Sequence, residues 1–478
     1  MHAEHPIYLA GSWERLGTPL TVTCPFDGSL VGTTWLAGEG EFERAADAAC
    51  SAAETMRHLP AYERAAILRR VSDEIVARRD EIGRTIAGEA GKAIRDAIGE
   101  AGRAGQTFQA ASEEARRIEG VVVPMDLAPH GRGRVSFTKR FPVGPVAAIS
   151  PFNFPFNLAA HKLAPAVAAG NPIVLKPATK TPLSALILAD LLDRAGLPKG
   201  ALSVLPMSRR TGDRLVTDDR FRLLTFTGSS EVGWAMKARA GKKRVRRELG
   251  GNAAVIVDET ANVEFAAKRV VSGGFALAGQ SCISVQRVFV HRRVFDAFSS
   301  GLVAFSEALK VGDPLDPTTD IGPMIEAAEA ARVDDWVQEA IGAGASALTG
   351  GRRLGAALYA PTVLVDVPET ARVWAEEAFA PVVCLRRFDD FNEVLAGVNR
   401  SPYGLQAGVF TNDLLRALVA FEVLEVGGVM INDVSAWRID HMPYGGTKDS
   451  GLGREGPRYA IEEMTEPKII VINRDTQG

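Results

Sequence analysis

Cys282 is the residue of this chain most open to a chemical reading. It closes Gly279-Gln280-Ser281-Cys282, after the small apolar run Gly273-Gly274-Phe275-Ala276-Leu277-Ala278 and before the strand-like Ile283-Ser284-Val285-Gln286-Arg287-Val288-Phe289-Val290. A thiol at the mouth of a strand, with small neighbours that admit a substrate and backbone amides, can act as a nucleophile. Equally, a Cys beside Gly and Ser reads as a small buried hydrophobe, the commoner use of a free thiol. Asn153, in Pro151-Phe152-Asn153-Phe154-Pro155, is either a turn or cap residue or a carboxamide aimed at a developing oxyanion. Lys176 and Thr179, in Lys176-Pro177-Ala178-Thr179-Lys180-Thr181-Pro182, offer an amine and a hydroxyl to a ribose or phosphate. Gly228 and Ser229, after Phe226-Thr227, sit at a helix start where free amides favour a phosphate. Glu248 precedes Leu249-Gly250-Gly251-Asn252 and is unremarkable by itself. The chain has no GxGxxG, so the usual dinucleotide fingerprint is absent.

The elements that must position these residues alternate in type. Between Val143 and Gly250, strands are expected over 146–150, 172–176, 203–205 and 223–227, with helices over 155–169 and 183–195. Such alternation predicts a parallel, doubly wound sheet with its ligand site at the carboxyl ends of the strands. A second α/β series starts at 253–257 and contains Cys282. Before the first series, residues 1–36 carry short strand-like pieces, and 41–120 carry Ala-rich helices with Ala65, Ile67, Leu68, Val71, Ile75 and Val76 on helical spacing. Residues 121–124 and 134–140 read as two strands around a polar turn, and 468–472 as another. A lone ribbon is marginal, so pairing with another subunit is expected.

At 478 residues the chain exceeds a single core and should divide into two or three domains. A net charge of −3 gives no electrostatic case for nucleic acid or an anionic membrane, which leaves small molecules as partners. Cys24, Cys50, Cys282 and Cys384 follow no metal-ligand or disulfide spacing, so no metal is expected and a reducing cytoplasm is. No signal-peptide pattern opens the chain. The longest apolar stretches, such as Leu186 to Leu192 with Asp190 inside it, fall short of the ~20 residues of a bilayer span.

Taken in order, Pro-Phe-Asn-Phe-Pro, Lys-Pro-x-x-x-Thr-Pro, Phe-Thr-Gly-Ser, Glu-Leu-Gly-Gly, Gly-Gln-x-Cys, Glu-Glu-x-Phe-x-Pro and Pro-Tyr-Gly-Gly-x-Lys-x-Ser-Gly resemble the aldehyde dehydrogenase superfamily over nearly the whole chain. The resemblance implies a Rossmann-like doubly wound NAD(P)-binding domain over 1–118 and 142–249. It also implies a second α/β catalytic domain over 250–463, and an oligomerisation β-ribbon from 119–141 and 464–478 that serves a homodimer or homotetramer. It makes Cys282 the nucleophile, Asn153 with the Cys282 amide the oxyanion hole, and Glu248 the general base that hydrolyses a thioester. Phe152, Lys176, Thr179, Gly228, Ser229, Glu377 and Phe379 become cofactor contacts.

Two departures from the family pattern concern the cofactor. Thr179 stands where many NAD-preferring members carry a Glu that repels a 2′-phosphate, so NADP+ is expected to be accepted. Pro206-Met207-Ser208-Arg209-Arg210-Thr211-Gly212 lacks a frequent Gly-x-Gly, and Arg209 is either a phosphate contact or a solvated surface residue. Motif offsets place Arg103, His161 and Arg438 in the substrate tunnel, over a floor of Ser281 and Ile283 and beside Tyr444. Buried charges need partners, and an anionic substrate is expected to supply one. The match is nearest to the lactaldehyde, phosphonoacetaldehyde and succinate-semialdehyde branch, which implies a small aldehyde with an anionic or hydroxylated tail. The alternatives are a catalytically silent family member and a nucleotide-independent cysteine hydrolase, the latter needing a His beside Cys282.

Overall fold

Short aliphatic runs such as Val146–Ile149, Ile173–Lys176, Leu223–Thr227 and Ala253–Val257 are buried almost throughout, which is what a parallel sheet covered on both faces demands. In the computed structural model, which describes residues 4–475, these runs build two sheets. The first has the strand order Ser12–Glu14, Ile7–Leu9, Leu202–Val204, Ile173–Lys176, Val146–Ile149, Leu223–Thr227, Arg244–Glu248 and Gly451–Leu452. Its inner strands are parallel and its outer ones antiparallel. Chain order reverses between Val146–Ile149 and Leu223–Thr227, which creates a crevice beyond their carboxyl ends. In the second, seven-stranded sheet Ala253–Val257 lies between the parallel strands Val285–His291, which is central, and Gln406–Phe410.

Each sheet has its own apolar core, one including Val255, Val288 and Leu385, the other Leu163, Leu175 and Leu188. Helix Ile94–Ala115 lies against Ala61–Ala77 and Asn157–Ala169. Its buried face is largely Ala97, Ala101, Ala104 and Ala111, short side chains that let the helices approach closely. Ala65, Ile67, Leu68, Val71 and Ile75 are buried as the spacing predicts, whereas Val76 is exposed.

The structure departs from the sequence expectations in three places. Residues 121–124 do not form a full strand; Val122 makes one antiparallel bridge to Phe137. As the expected grouping of 119–141 with 464–478 has it, the ribbon pairs Arg134–Pro142 with Thr465–Asn473, here of the same chain, because the latter supplies a nine-residue ladder that the Pro124-ended segment cannot. Residues 476–478 of the expected ribbon, and 1–3 of the expected first domain, lie outside the described residues. Segment 451–463, expected within the catalytic domain, joins the first sheet: Gly451–Leu452 pairs with Arg247 and Glu248, and helix Pro457–Glu463 lies on Asn157–Ala169 and Ile94–Ala115. Finally, the strand after Cys282 starts at Val285 and not at Ile283, so Cys282 precedes it by three residues. Among the described residues no helix is long and apolar enough to cross a membrane.

Candidate active site

Four inner strands of the first sheet end in residues that face one cavity of about 540 Å³. Val146–Ile149 leads to Phe152 and Asn153, Ile173–Lys176 to Lys176 and Thr179, Leu223–Thr227 to Gly228 and Ser229, and Arg244–Glu248 ends on Glu248 itself. From the second sheet come Cys282, Glu377 and Phe379. The loop that delivers Cys282 is strained: Leu277, Ala278 and Gly279 take successive left-handed conformations, φ 52°, 51° and 69°. A side chain at Gly279 would put its Cβ 1.9 Å from the Ala380 carbonyl oxygen, so only glycine lets the thiol loop approach the Glu377–Phe379 loop this closely.

Around the thiol, the Tyr444 hydroxyl lies 2.9 Å from Cys282 Sγ, and the Arg438 guanidinium sits 3.8 Å from the Tyr444 ring centroid. Burial pushes the Cys282 thiol up to about 12, opposed by the Tyr444 hydrogen bond and reinforced by the Glu377 carboxylate. The Asn153 amide donates one hydrogen to the Gln280 carbonyl at 3.0 Å and keeps its second free. Among the described residues the Cys282 amide N–H makes no backbone hydrogen bond, so two donors converge beside the thiol.

Both carboxylate oxygens of Glu248 are buried without a hydrogen-bond partner among the described residues. Burial, then the Glu455 carboxylate, raises its carboxyl well above the usual range. Behind it, Lys162 donates to Thr227 Oγ1 at 2.8 Å, and burial brings its amine down to about 8. Glu377 is half-buried, raised to about 7 by desolvation, and accepts the Gly251 N–H at 2.9 Å. A Cβ at position 250 would lie 2.1 Å from Glu377 Oε2, so a side chain there would displace the Glu377 carboxylate.

The cofactor candidates line one wall of this cavity and fit a dinucleotide. Among the described residues Lys176 makes only a 3.4 Å contact to the Pro177 carbonyl, and burial, then Arg209, lowers its amine to about 8. Ser229 caps helix Ser230–Arg239 without a side-chain capping bond, leaving first-turn amides for an anion. Phe152 and Phe379 meet edge to face at 5.9 Å where the cavity narrows. Arg209 lines the same wall and, among the described residues, makes no ion pair, whereas Lys180 is paired with Glu326 at 2.8 Å.

The substrate candidates form a separate cluster. Ile283 and Tyr444 pack with Leu405 against Cys282, with Ser281 beside them. The tunnel charges are not unpaired as the sequence suggested. Arg103 grips Asp440 with two bonds of 2.9 and 2.8 Å, His161 Nε2 lies 2.9 Å from the same carboxylate, and Arg438 donates to Glu455 at 3.0 Å. Burial opposes it, yet His161 and Arg103 hold Asp440 well below the usual carboxylate range, and His161 with Arg438 brings Glu455 to about 2. Burial, then Arg438, lowers His161. Each Arg nevertheless keeps its Nη1 free of hydrogen bonds among the described residues. Sequence reasoning missed Asp440, Glu455 and Lys162; each stands beside a residue already singled out, and counting both signs of charge would have found them. Among the described residues no His approaches Cys282 within hydrogen-bonding distance.

The aldehyde dehydrogenase family profile matches residues 13–470. A 3-sulfolactaldehyde dehydrogenase from Priestia aryabhattai is 45% identical over 471 residues, 98% of each chain. The crystal structure of aldehyde dehydrogenase 21 from Physcomitrella patens with the product succinate superposes at TM-score 0.97, with 46% identity over 100% of both chains. That of a Methanocaldococcus jannaschii glyceraldehyde-3-phosphate dehydrogenase complexed with NADP superposes at 0.91, with 38% identity over 95% of this chain and 99% of that one. With this fold and this thiol-centred cavity, the chain belongs to the aldehyde dehydrogenase family and is an NAD(P)-dependent oxidoreductase that converts aldehydes to acids.

Proposed function

We propose that this enzyme oxidises a small aldehyde with an anionic tail, such as a sulfonate or carboxylate, through a Cys282 thioester hydrolysed by Glu248. The observation that carries the substrate class is the pair of free Nη1 groups on Arg103 and Arg438, both next to buried carboxylates that hold the two guanidinium groups in place. Asp440 and Glu455 compensate the cations in the resting site, and the remaining donors are left for a substrate oxyanion. Relatives named for sulfolactaldehyde and sulfoacetaldehyde, and the neighbour holding succinate, support this class.

In the reaction, the Cys282 thiolate forms a C–S bond to the aldehyde carbon. The carbonyl oxygen takes the negative charge and is held by the free Asn153 N–H and the Cys282 amide. Bound NAD(P)+ supplies the acceptor for the hydride lost from that carbon, which leaves the thioester. Glu248 then takes a proton from water, the oxygen attacks the thioester carbon, and the C–S bond breaks to release the acid and restore the thiol. Tyr444 donates a hydrogen bond that favours the thiolate against burial. Phe152, Lys176, Thr179, Gly228, Ser229, Glu377 and Phe379 hold the nucleotide. Thr179, with Lys176 and Arg209 on the same wall, makes a 2′-phosphate acceptable, so NADP+ is used. Lys180, neutralised by Glu326, contributes little to this. The exposed apolar residues Val135, Phe137, Ile469, Ile470, Val471 and Ile472 on the ribbon support assembly as a homodimer or homotetramer.

Among the described residues no His lies at Cys282, which disfavours a cysteine hydrolase, and retention of both Cys282 and Glu248 disfavours a silent family member. The test compares Arg103→Met and Arg438→Met, taken singly, on an anionic aldehyde and on propanal. Loss of at least about tenfold in kcat/KM confined to the anionic substrate is expected. Equal losses on both aldehydes would remove the anion reading while leaving the thioester chemistry standing.

A further inference from the structure

A second cavity, of about 300 Å³, shares none of its lining with the catalytic one and is bounded by Asn252, Arg287, Glu369, Trp374, Arg386 and Arg400. Arg287 and Arg386 come from the adjacent parallel strands Val285–His291 and Val382–Phe388. Arg287 is opposite Cys384, and residues two apart share a face, so both guanidinium groups leave the same face of the sheet. They flank one indole: the Arg386 guanidinium lies 3.7 Å and that of Arg287 5.9 Å from the Trp374 ring centroid.

The charges do not balance. Arg287 is 5% exposed and donates from Nε and Nη2 to a single neutral acceptor, the Asn252 carbonyl, at 3.3 and 3.0 Å. Among the described residues its Nη1 has no partner and no carboxylate comes within 4.0 Å of it. Glu369, the one acidic residue on the lining, is already engaged by Arg386 and, at 3.5 Å, by Arg400. Three guanidinium groups thus share one carboxylate. A buried guanidinium facing a neutral carbonyl bears a desolvation cost that a counter-anion would offset. Burial, then repulsion from Arg386, already lowers Arg287 to about 10.

We propose that this cavity is a binding site, separate from the catalytic centre, for a small dianion of the phosphate class. The free edge of Arg287 and the unused N–H groups of Arg386 and Arg400 present several donors to a tetrahedral oxyanion, the geometry in which guanidinium outperforms ammonium. The volume suits a phosphate alone or with a short organic tail. The site also adjoins the cofactor side: Arg287 holds the Asn252 carbonyl, and the preceding Gly251 N–H holds Glu377.

The full chain, without nucleotide or aldehyde, is titrated calorimetrically with inorganic phosphate and, separately, with glycerol phosphate as a phosphomonoester. A saturable site is expected that is weakened by about tenfold or more in Arg287→Gln and in the exposed Arg400→Gln, and unchanged in Arg438→Met. Tighter binding of the ester identifies an organic phosphate as the ligand, and equal binding identifies the free ion. No saturable heat with either probe, or binding that survives both cavity variants and disappears in Arg438→Met, overturns the proposal.

Discussion

Replacing Tyr444 by Phe removes one hydroxyl, the one 2.9 Å from Cys282 Sγ, and leaves the ring stacked against Arg438. The hydroxyl donates to the thiolate and therefore favours the charged form. A hydrogen bond to a charged group contributes about 1.5–3 kcal/mol. One pKa unit corresponds to about 1.36 kcal/mol, so the loss raises the thiol by about one to two units. It does so from a value that burial has already pushed up to about 12. Below its pKa the thiolate fraction falls tenfold per unit, so alkylation of Cys282 should slow by about 10- to 100-fold at any pH below that range. The assay is the rate of iodoacetamide labelling as a function of pH, read by mass spectrometry on the Cys282 peptide because the exposed Cys50 also reacts. A rate that stays the same, or rises, would refute the reasoning, since it would mean that the phenol accepts from the thiol and stabilises its neutral form.

Glu248→Gln should produce one equivalent of NAD(P)H per chain in a burst and then turn over about 10²–10⁴-fold more slowly; a burst lost together with turnover would place the carboxylate before hydride transfer. Because burial and Glu455 raise Glu248, kcat in the parent enzyme should climb with pH through a pKa above the ordinary carboxylate range, and that limb should vanish in the Gln variant. Thr179→Glu adds a carboxylate to the wall that carries Lys176 and Arg209, and the NADP+ to NAD+ ratio of kcat/KM should fall by about tenfold or more. Asp440→Asn breaks a buried pair that serves Arg103 and His161, and should cost about 3–5 kcal/mol in urea unfolding at neutral pH. Asp440 is held below its unfolded value in the folded chain, so its contribution is complete above about pH 4 and fades as the pH falls further; equal losses at every pH would contradict that account.

Much of this protein was legible in its residue order. The alternation of aliphatic strand and amphipathic helix between Val143 and Gly250 determined a doubly wound sheet, because both periodicities are local properties of the chain. Asn153, Lys176, Gly228 and Ser229 were readable as candidates, since each lies at the end of an expected strand; Glu248 joined them only through the order of motifs that resembles the family. Pairing was less legible. The ribbon joins 134–142 to 465–473, and the strand at 451–452 returns to the first sheet, across separations that no local pattern records.

What only the tertiary structure decided is the balance of charge. From the sequence, Arg103, His161 and Arg438 were a set of cations awaiting an anion. Folding brings Asp440 and Glu455 against them, and it brings Arg287 and Arg386 together over Trp374 with a single carboxylate nearby. Whether a charge is compensated depends on what is within a few ångströms of it, and that distance is set by packing between segments as much as 337 residues apart. The reactive groups themselves were present in the order of residues. Their ionisation, and the places where ligand charge is still needed, belong to the fold.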